Sequence, residues 1–470
     1  MKKLEPHADR LFPADPTTRT VARQLFGEVA DLPIVSPHGH VEAGVLAEDQ
    51  PFGDPASLLV TPDHYVTRLI HSQGVPLEKL GVPVGGAAST AKPRDIWRIF
   101  CAHWKYFRGT PSRYWIESEL AEVFGVEEMP SPETADTLFD ALSSKLESPE
   151  FRPRALFSRF NLHSLATTDD PRSTLAHHKA LNDDPSWEGR VVPTFRPDAY
   201  LDPNLPRWPE NVALLGVSAD IDTGTYAGYI SALEQRRAHF VANGGTATDH
   251  GAADAGSQPL EPAEAQRVYA AALAGTATPA ERTAFRRHML SEMARMACDD
   301  GLVMQLHPSV LRNYHGPAFR KYGADVGHDI PVAAEFTKSL RPLLERYGTH
   351  PNYRLVLFTV DEDVWSREIA PLAGFYPSVY VGAPWWYLDT PDTMMRFREA
   401  VTDTVGFYRT SGFVDDTRAF CSIPARHNAA RRVDCSYLAR LVVEHRLSED
   451  EATEIARDLA FALPKEVFRL

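Results

Sequence analysis

Eight short runs of apolar and β-branched residues recur along the chain, separated by stretches of helical periodicity. They are LPIVS (32–36), LHSLATT (162–168), RVVPTF (190–195), GTATDH (245–250), LVMQLH (302–307), RLVLFTV (354–360), VYVGAP (379–384) and GFVDD (412–416). Runs of this length predict strands buried on both faces and joined by helical crossovers. GTATDH has the least strand-like composition of the eight. Helix starts between the runs are well marked. Asp15 precedes Pro16, Thr278 precedes Pro279 with Glu281 completing a capping box, and Ser448 is matched by Glu451. The segment GGTATDHGAADAGSQPLEP (244–262) is small, polar and punctuated by glycine and proline, which predicts an exposed loop around that weakest strand.

Six of the eight runs end in polar or titratable groups: His38/His40, Asp169/Asp170, Arg196/Asp198, Asp249/His250, His307 and Asp416/Arg418. A (β/α)8 barrel builds its active site at the C-terminal ends of its strands. The pattern therefore predicts an α/β protein with a TIM-like barrel. Residues 42–160 are far too long for one crossover and carry helical patterns such as PRDIWRIFCAHWKYF. They read as a large helical insertion after the first strand, contributing to the active site, with the barrel formed by 1–41 and 161–470.

Alternation along a strand brings residues i and i+2 to one side. His38 and His40 of SPHGH then face together, with the slim Gly39 between them. Two imidazoles at a strand end can hold one divalent metal ion; two surface histidines in a turn are the plainer reading, and the buried strand just before them favours the metal. In a closed barrel the last strand lies beside the first, so Asp416 approaches the same ion. Arg418 shares its face, while Asp415 and Thr417 face away and Asp415 caps the following helix. His307 ends the fifth run with Arg312 just beyond, and Arg196 ends the third. A lone arginine is usually a solvated ion-pair partner, but three on the barrel-top loops predict recognition of an anion. His64 and Tyr65 open a helix of the insertion in DHYVTRLI. Trp385 and Trp386 follow the seventh run, either as core or as the wall of a sugar pocket.

Bulk properties narrow the choice. The chain has 470 residues and a formal charge of -14, so no basic surplus exists to bind a nucleic-acid backbone. A few local arginines still suffice for a small anion. Cys101, Cys298, Cys421 and Cys435 are widely spaced and form no CxxC, which predicts a reduced, cytoplasmic setting. The opening MKKLEPHADRLFPADP has no apolar core of a secretory leader, and no apolar run reaches membrane-spanning length.

With these residues in view, the chain resembles the uronate (glucuronate) isomerase family of the amidohydrolase superfamily. The resemblance is carried in order by DHYVTRLI, ATTDDP, VVPTFRPD, ATDHG, QLHPSVLRN, GAPWW and DDTRAF. SPHGH and LVLFTVDEDVW depart from the family's usual wording and leave open which uronate is preferred. The resemblance implies isomerisation of D-glucuronate to D-fructuronate and of D-galacturonate to D-tagaturonate with one divalent metal, commonly zinc, in a homo-oligomer. It implies His38, His40 and Asp416 as metal ligands, with Asp416 also the base. His64, Tyr65, His307 and Arg418 fall on catalytic positions, and Arg196, Asp249, Arg312, Trp385 and Trp386 on substrate-binding ones. Two rivals remain at this point. The same centre could activate water to hydrolyse an amide or lactone, or a catalytically silent barrel could simply bind a sugar acid.

Overall fold

The structure, a computed structural model, describes residues 3–470; Met1 and Lys2, the first residues of the segment read as no leader, lie outside the described residues. Among the described residues ten strands form: β1 (Ile34–Ser36), β2 (Leu162–Ala166), β3 (Val191–Val192), β4 (Thr194–Phe195), β5 (Ala247–His250), β6 (Val303–Leu306), β7 (Val310–Leu311), β8 (Ile330–Pro331), β9 (Leu355–Leu357) and β10 (Val379–Val381). Two all-parallel sheets, β1-β2-β3 and β4-β5-β6-β9-β10, make up most of a ring. The third predicted strand is split into β3 and β4 at Pro193. Proline has no N–H to give the ladder, so β3 pairs with β2 and β4 with β5, and a parallel Asp169–Phe195 bridge ties β4 back to the second strand's end.

The eighth predicted run, 412–416, is not a regular strand. Gly412 (φ 72) and Asp416 (φ 41) both sit in the left-handed region and break the extended course. The ring closes there all the same. Val381 bridges Thr410 in parallel, Asp416 N–H donates to the His38 carbonyl (3.3 Å), and His40 N–H donates to the Thr417 carbonyl (2.9 Å). A short antiparallel hairpin, β7 with β8, was not anticipated; it carries residues 312–329 beyond the end of β6.

Burial follows the period-two rule. Leu355 and Leu357 of β9 join the helix-facing core, while Val356 turns inward with Val35, Ala166, Val192, Ala247, Val303 and Tyr380. One inward side chain from each of seven strands thus plugs the ring on the N-terminal side of the polar strand ends. The caps form as expected. Asp15 accepts from Thr18 N–H, and both Thr278/Glu281 and Ser448/Glu451 close reciprocal capping boxes, each cap contributing about 1 kcal/mol. The loop after β5 is not exposed throughout. Ala255 and Ser257 are buried, and Ser257 Oγ donates to the Ser339 carbonyl at 2.7 Å. Small residues fit beneath packed helices as readily as they solvate, and a sequence does not separate the two.

Residues 42–160 contain helices and turns, among them Ala43–Glu48, His64–His71, Pro93–His103, Ala135–Leu146 and Pro153–Arg159. Their core residues Trp97, Phe100, Leu142 and Leu156 are continuous with Leu162 and Leu165 of β2. The helical segment therefore shares one apolar core with the first strands.

Candidate active site

The polar strand ends converge. His38 is buried just beyond β1, and His40 keeps 23% of its side chain exposed; the Asp416 Oδ1 lies 3.4 Å from His38 Nε2 and 3.0 Å from His40 Nε2. The turn that breaks the eighth strand sets this carboxylate against the first. Ligand atoms of these three residues lie within 4.8 Å of one another, as do those of His38, Asp249 and His307, so His38 belongs to both groups. Both imidazoles lie close to the buried Asp416 Oδ1, yet neither makes it a hydrogen bond of good geometry. Two imidazoles and a carboxylate with an orphaned oxygen are a donor set that fits a divalent ion. Burial opposes the charge on Asp416, yet His38 and His40 hold its carboxyl well below the usual range.

His307 Nδ1 stands 2.8 Å from Asp249 Oδ1, and its ring stacks on His38 at 5.0 Å and on Phe358 at 4.2 Å. Asp249 also faces Arg196 Nη1 at 3.2 Å. Arg196 Nε donates to Asp198 Oδ2 (3.0 Å), and both Asp198 oxygens accept from Gly251 N–H (3.0 and 3.1 Å). Arg312 Nη1 donates to Asp329 Oδ2 (2.9 Å), and its guanidinium lies 4.9 Å from the Trp386 ring centroid. The two guanidiniums meet above Gly251. A Cβ built there would stand 3.3 Å from Arg196 Nη2 and 3.8 Å from Arg312 Nη2. Each cation has its own carboxylate, so the pair can share one space, and that space suits an anion.

Asp63 accepts from Tyr65 N–H at 2.8 Å and so caps the helix His64–His71. That cap brings His64 and Tyr65 to the cleft, with His64 5.0 Å from the Tyr65 ring and 5.9 Å from the Trp386 ring. Trp385 and Trp386 are buried and line the cleft, so they serve as core and wall together. Arg418 Nη2 donates to Asp325 Oδ2 at 3.1 Å.

The twelve residues given a metal, catalytic or substrate-binding role from the sequence line this one cleft: His38, His40, His64, Tyr65, Arg196, Asp249, His307, Arg312, Trp385, Trp386, Asp416 and Arg418; Asp169 and Asp198, at two of the polar strand ends, are not in its wall. Their geometry corrects some details. Asp249 lines the cleft from a buried position, with His307 and Arg196 as its charge partners. Asp415 does turn away, but as the partner of His427 Nε2 (3.0 Å), not as a helix cap. Thr417 lines the cleft instead of facing away, and its Oγ1 accepts from Ala419 N–H (3.0 Å). Asp170 and His250 stay outside the wall, occupied with Tyr200 Oη and Thr248 Oγ1 respectively. The sequence reading missed Asp63, Asp325 and Arg426, which also line the cleft. Asp63 was legible as a cap; Arg426 sits within a helix and Asp325 on a turn with no strand before it.

A parallel β/α ring with a His-x-His pair at its first strand, a carboxylate on the turn that closes it and paired arginines at the rim defines a barrel enzyme with a centre fit for a metal. The chain belongs to the glucuronate isomerase family, whose profile matches residues 16–468. It is 52% identical over 467 residues to a uronate isomerase of Rhizorhabdus wittichii, covering 99% of each chain. The crystal structure of glucuronate isomerase from Caulobacter crescentus superposes with a TM-score of 0.98 at 45% identity, covering 100% of this chain and 98% of that one. The uronate isomerase of Thermotoga maritima gives 0.92 at 29% identity, covering 99% of each chain. These findings favour an isomerase over the hydrolase raised from the sequence. Among the described residues no helix is long and apolar enough to cross a membrane.

Proposed function

We propose that the protein interconverts hexuronates and their 2-keto isomers, D-glucuronate with D-fructuronate and D-galacturonate with D-tagaturonate, by moving a proton between C2 and C1. The observation that carries this reading is the sharing of one cleft by a carboxylate–imidazole cluster and an arginine pair. One end can do proton chemistry while the other holds an anion.

His38, His40 and Asp416 would hold a divalent ion, zinc being the one the family resemblance implies, and when bound it supplies Lewis-acid polarisation of the sugar carbonyl. Arg196 and Arg312 grip the C6 carboxylate. Asp416 removes the C2 proton: Oδ1 faces the histidines, which leaves Oδ2 for the sugar. The hydroxyl of Tyr65 and the guanidinium of Arg418 steady the oxygens of the cis-enediolate. His64 and His307 flank the reacting end and orient its oxygens. Trp385 and Trp386 close it from water. Residues 42–160 act as a helical insertion whose part in catalysis is the His64–Tyr65 wall. The four buried, unbridged cysteines support a reducing, cytoplasmic setting, and we place the working enzyme as a homo-oligomer.

Ketose formation from each uronate, measured beside hydrolysis of a uronolactone, tests the reading. Ketose formation with negligible hydrolysis is expected; the reverse would overturn it.

A further inference from the structure

The cleft is rich in donors and poor in free acceptors. Arg196, Arg312, Arg418 and Tyr65 all present N–H or O–H groups to it. Of its carboxylates, Asp249 and Asp416 are held by histidine and arginine neighbours, and Asp63 caps a helix. Asp325 differs. Its Oδ2 accepts from Arg418 Nη2 (3.1 Å), its Oδ1 carries no protein donor among the described residues, and half of its side chain is exposed. A sugar acid brings one carboxylate for the arginines, but each of its hydroxyls also has a proton that needs an acceptor.

The loop bearing Asp325 is held firmly. Asp325 has φ 61 and lies between Gly323 (φ 87) and Gly327 (φ 89). A Cβ on Gly327 would fall 2.8 Å from Arg68 Cβ and 3.4 Å from the His64 carbonyl oxygen, so this turn rests directly on the helix that presents His64 and Tyr65. On its other side Gly85 N–H donates to the Lys321 carbonyl (2.9 Å), and Tyr314 N–H to the His328 carbonyl (3.2 Å).

Resting on the uronate reading above, we infer that Asp325 is a substrate-binding residue that accepts a hydrogen bond from one of the C3, C4 and C5 hydroxyls of the open-chain sugar acid. The two uronates differ only in configuration at C4, so such an acceptor changes their ratio if that hydroxyl is the one it meets.

The test is a cycle between enzyme and substrate. Asp325→Ala and Asp325→Asn are compared with wild type on D-glucuronate, D-galacturonate and their 3-, 4- and 5-deoxy analogues, with metal content and thermal midpoint recorded for each protein. Asp325→Ala should lower kcat/KM on the better uronate roughly 10- to 150-fold, the worth of one charge-assisted hydrogen bond, with Asp325→Asn intermediate. On one deoxy analogue the variant and wild type should agree within about twofold, because the partner hydroxyl is gone. An equal penalty on every analogue, or tighter uronate binding because Arg418 has been freed, would overturn the inference. If the variants do not fold, wild type alone decides. Removal of one hydroxyl must lower its kcat/KM by a similar factor, and indifference to all three would overturn the inference. Wild type inactive on both parent uronates would instead refute the proposed function.

Discussion

Replacing Gly251 by alanine adds one methyl group at the point where the two cleft arginines meet. Gly251 is not among the glycines with positive φ, so alanine fits its backbone without strain. By restricting the unfolded chain alanine even favours folding by about 0.4–1 kcal/mol. The added carbon, however, would stand 2.9 Å from Asp198 Oδ2. Ordinary contact needs about half an ångström more, so the Asp198 carboxylate must move. That oxygen accepts from Arg196 Nε at 3.0 Å and from Gly251 N–H at 3.1 Å, so moving it loosens the guanidinium that grips the substrate carboxylate. Losing part of one charge-assisted bond, about 1–2 kcal/mol, raises KM by roughly 5- to 30-fold. Steady-state kinetics on both uronates, with thermal unfolding alongside, reads the effect. KM should rise more than kcat falls, with a midpoint near or above that of wild type. Asp198→Asn combined with Gly251→Ala should do less harm than the two single changes summed, because both act through one carboxylate. An unchanged KM in a normally stable Gly251→Ala protein would refute the reasoning.

Further outcomes follow from the same geometry. His38→Ala/His40→Ala should purify with little divalent metal by elemental analysis, since only Asp416 of that donor group remains; full metal content would remove these histidines as ligands. Glu119 is buried, and burial, reinforced by Asp63 and opposed by Ser422 and Arg426, pushes its carboxyl up to about 8. The folded protein then keeps a proton that the unfolded chain releases, so wild-type stability falls as pH rises from about 4.5 to 8, by at most on the order of 4–5 kcal/mol. Glu119→Gln lacks this loss, so its thermal midpoint should gain on wild type from pH 5 to pH 8 and the gap should then level off; a pH-independent gap would contradict the assignment.

Much of the site was legible because barrel chemistry collects where strands end. His38, His307 and Arg196 each follow an apolar run directly, and the runs are a one-dimensional record of the ring. The eighth segment kept its chemistry while losing its strand. Alternation predicted that Asp416 would face the histidines and Asp415 would not. The left-handed turn at Asp416 achieves the same facing by another route, and Thr417 consequently joins the cleft. Pro193 was visible in RVVPTF, but a run scored for apolar content says nothing about a missing N–H. Residues 314–332 were opaque for a different reason. Strands of two residues leave no periodicity, so neither the hairpin nor Asp325 could be read. Asp249 was placed in the cleft correctly, but its ties to His307 and Arg196 depend on three strand ends meeting in space.

The role of Asp416 as the base is the centre of the account, and proton exchange tests it most directly. Wild type, Asp416→Asn and Asp415→Asn are each incubated with D-glucuronate in deuterated water, and the recovered aldose and ketose are analysed for deuterium. Asp415 is buried against His427, so its variant is assayed at a temperature where it is folded. Wild type and Asp415→Asn should form ketose and incorporate deuterium. Asp416→Asn should lose both by about 10²- to 10⁴-fold, the scale of a positioned general base. Isomerisation and exchange by Asp416→Asn within tenfold of wild type would contradict the account.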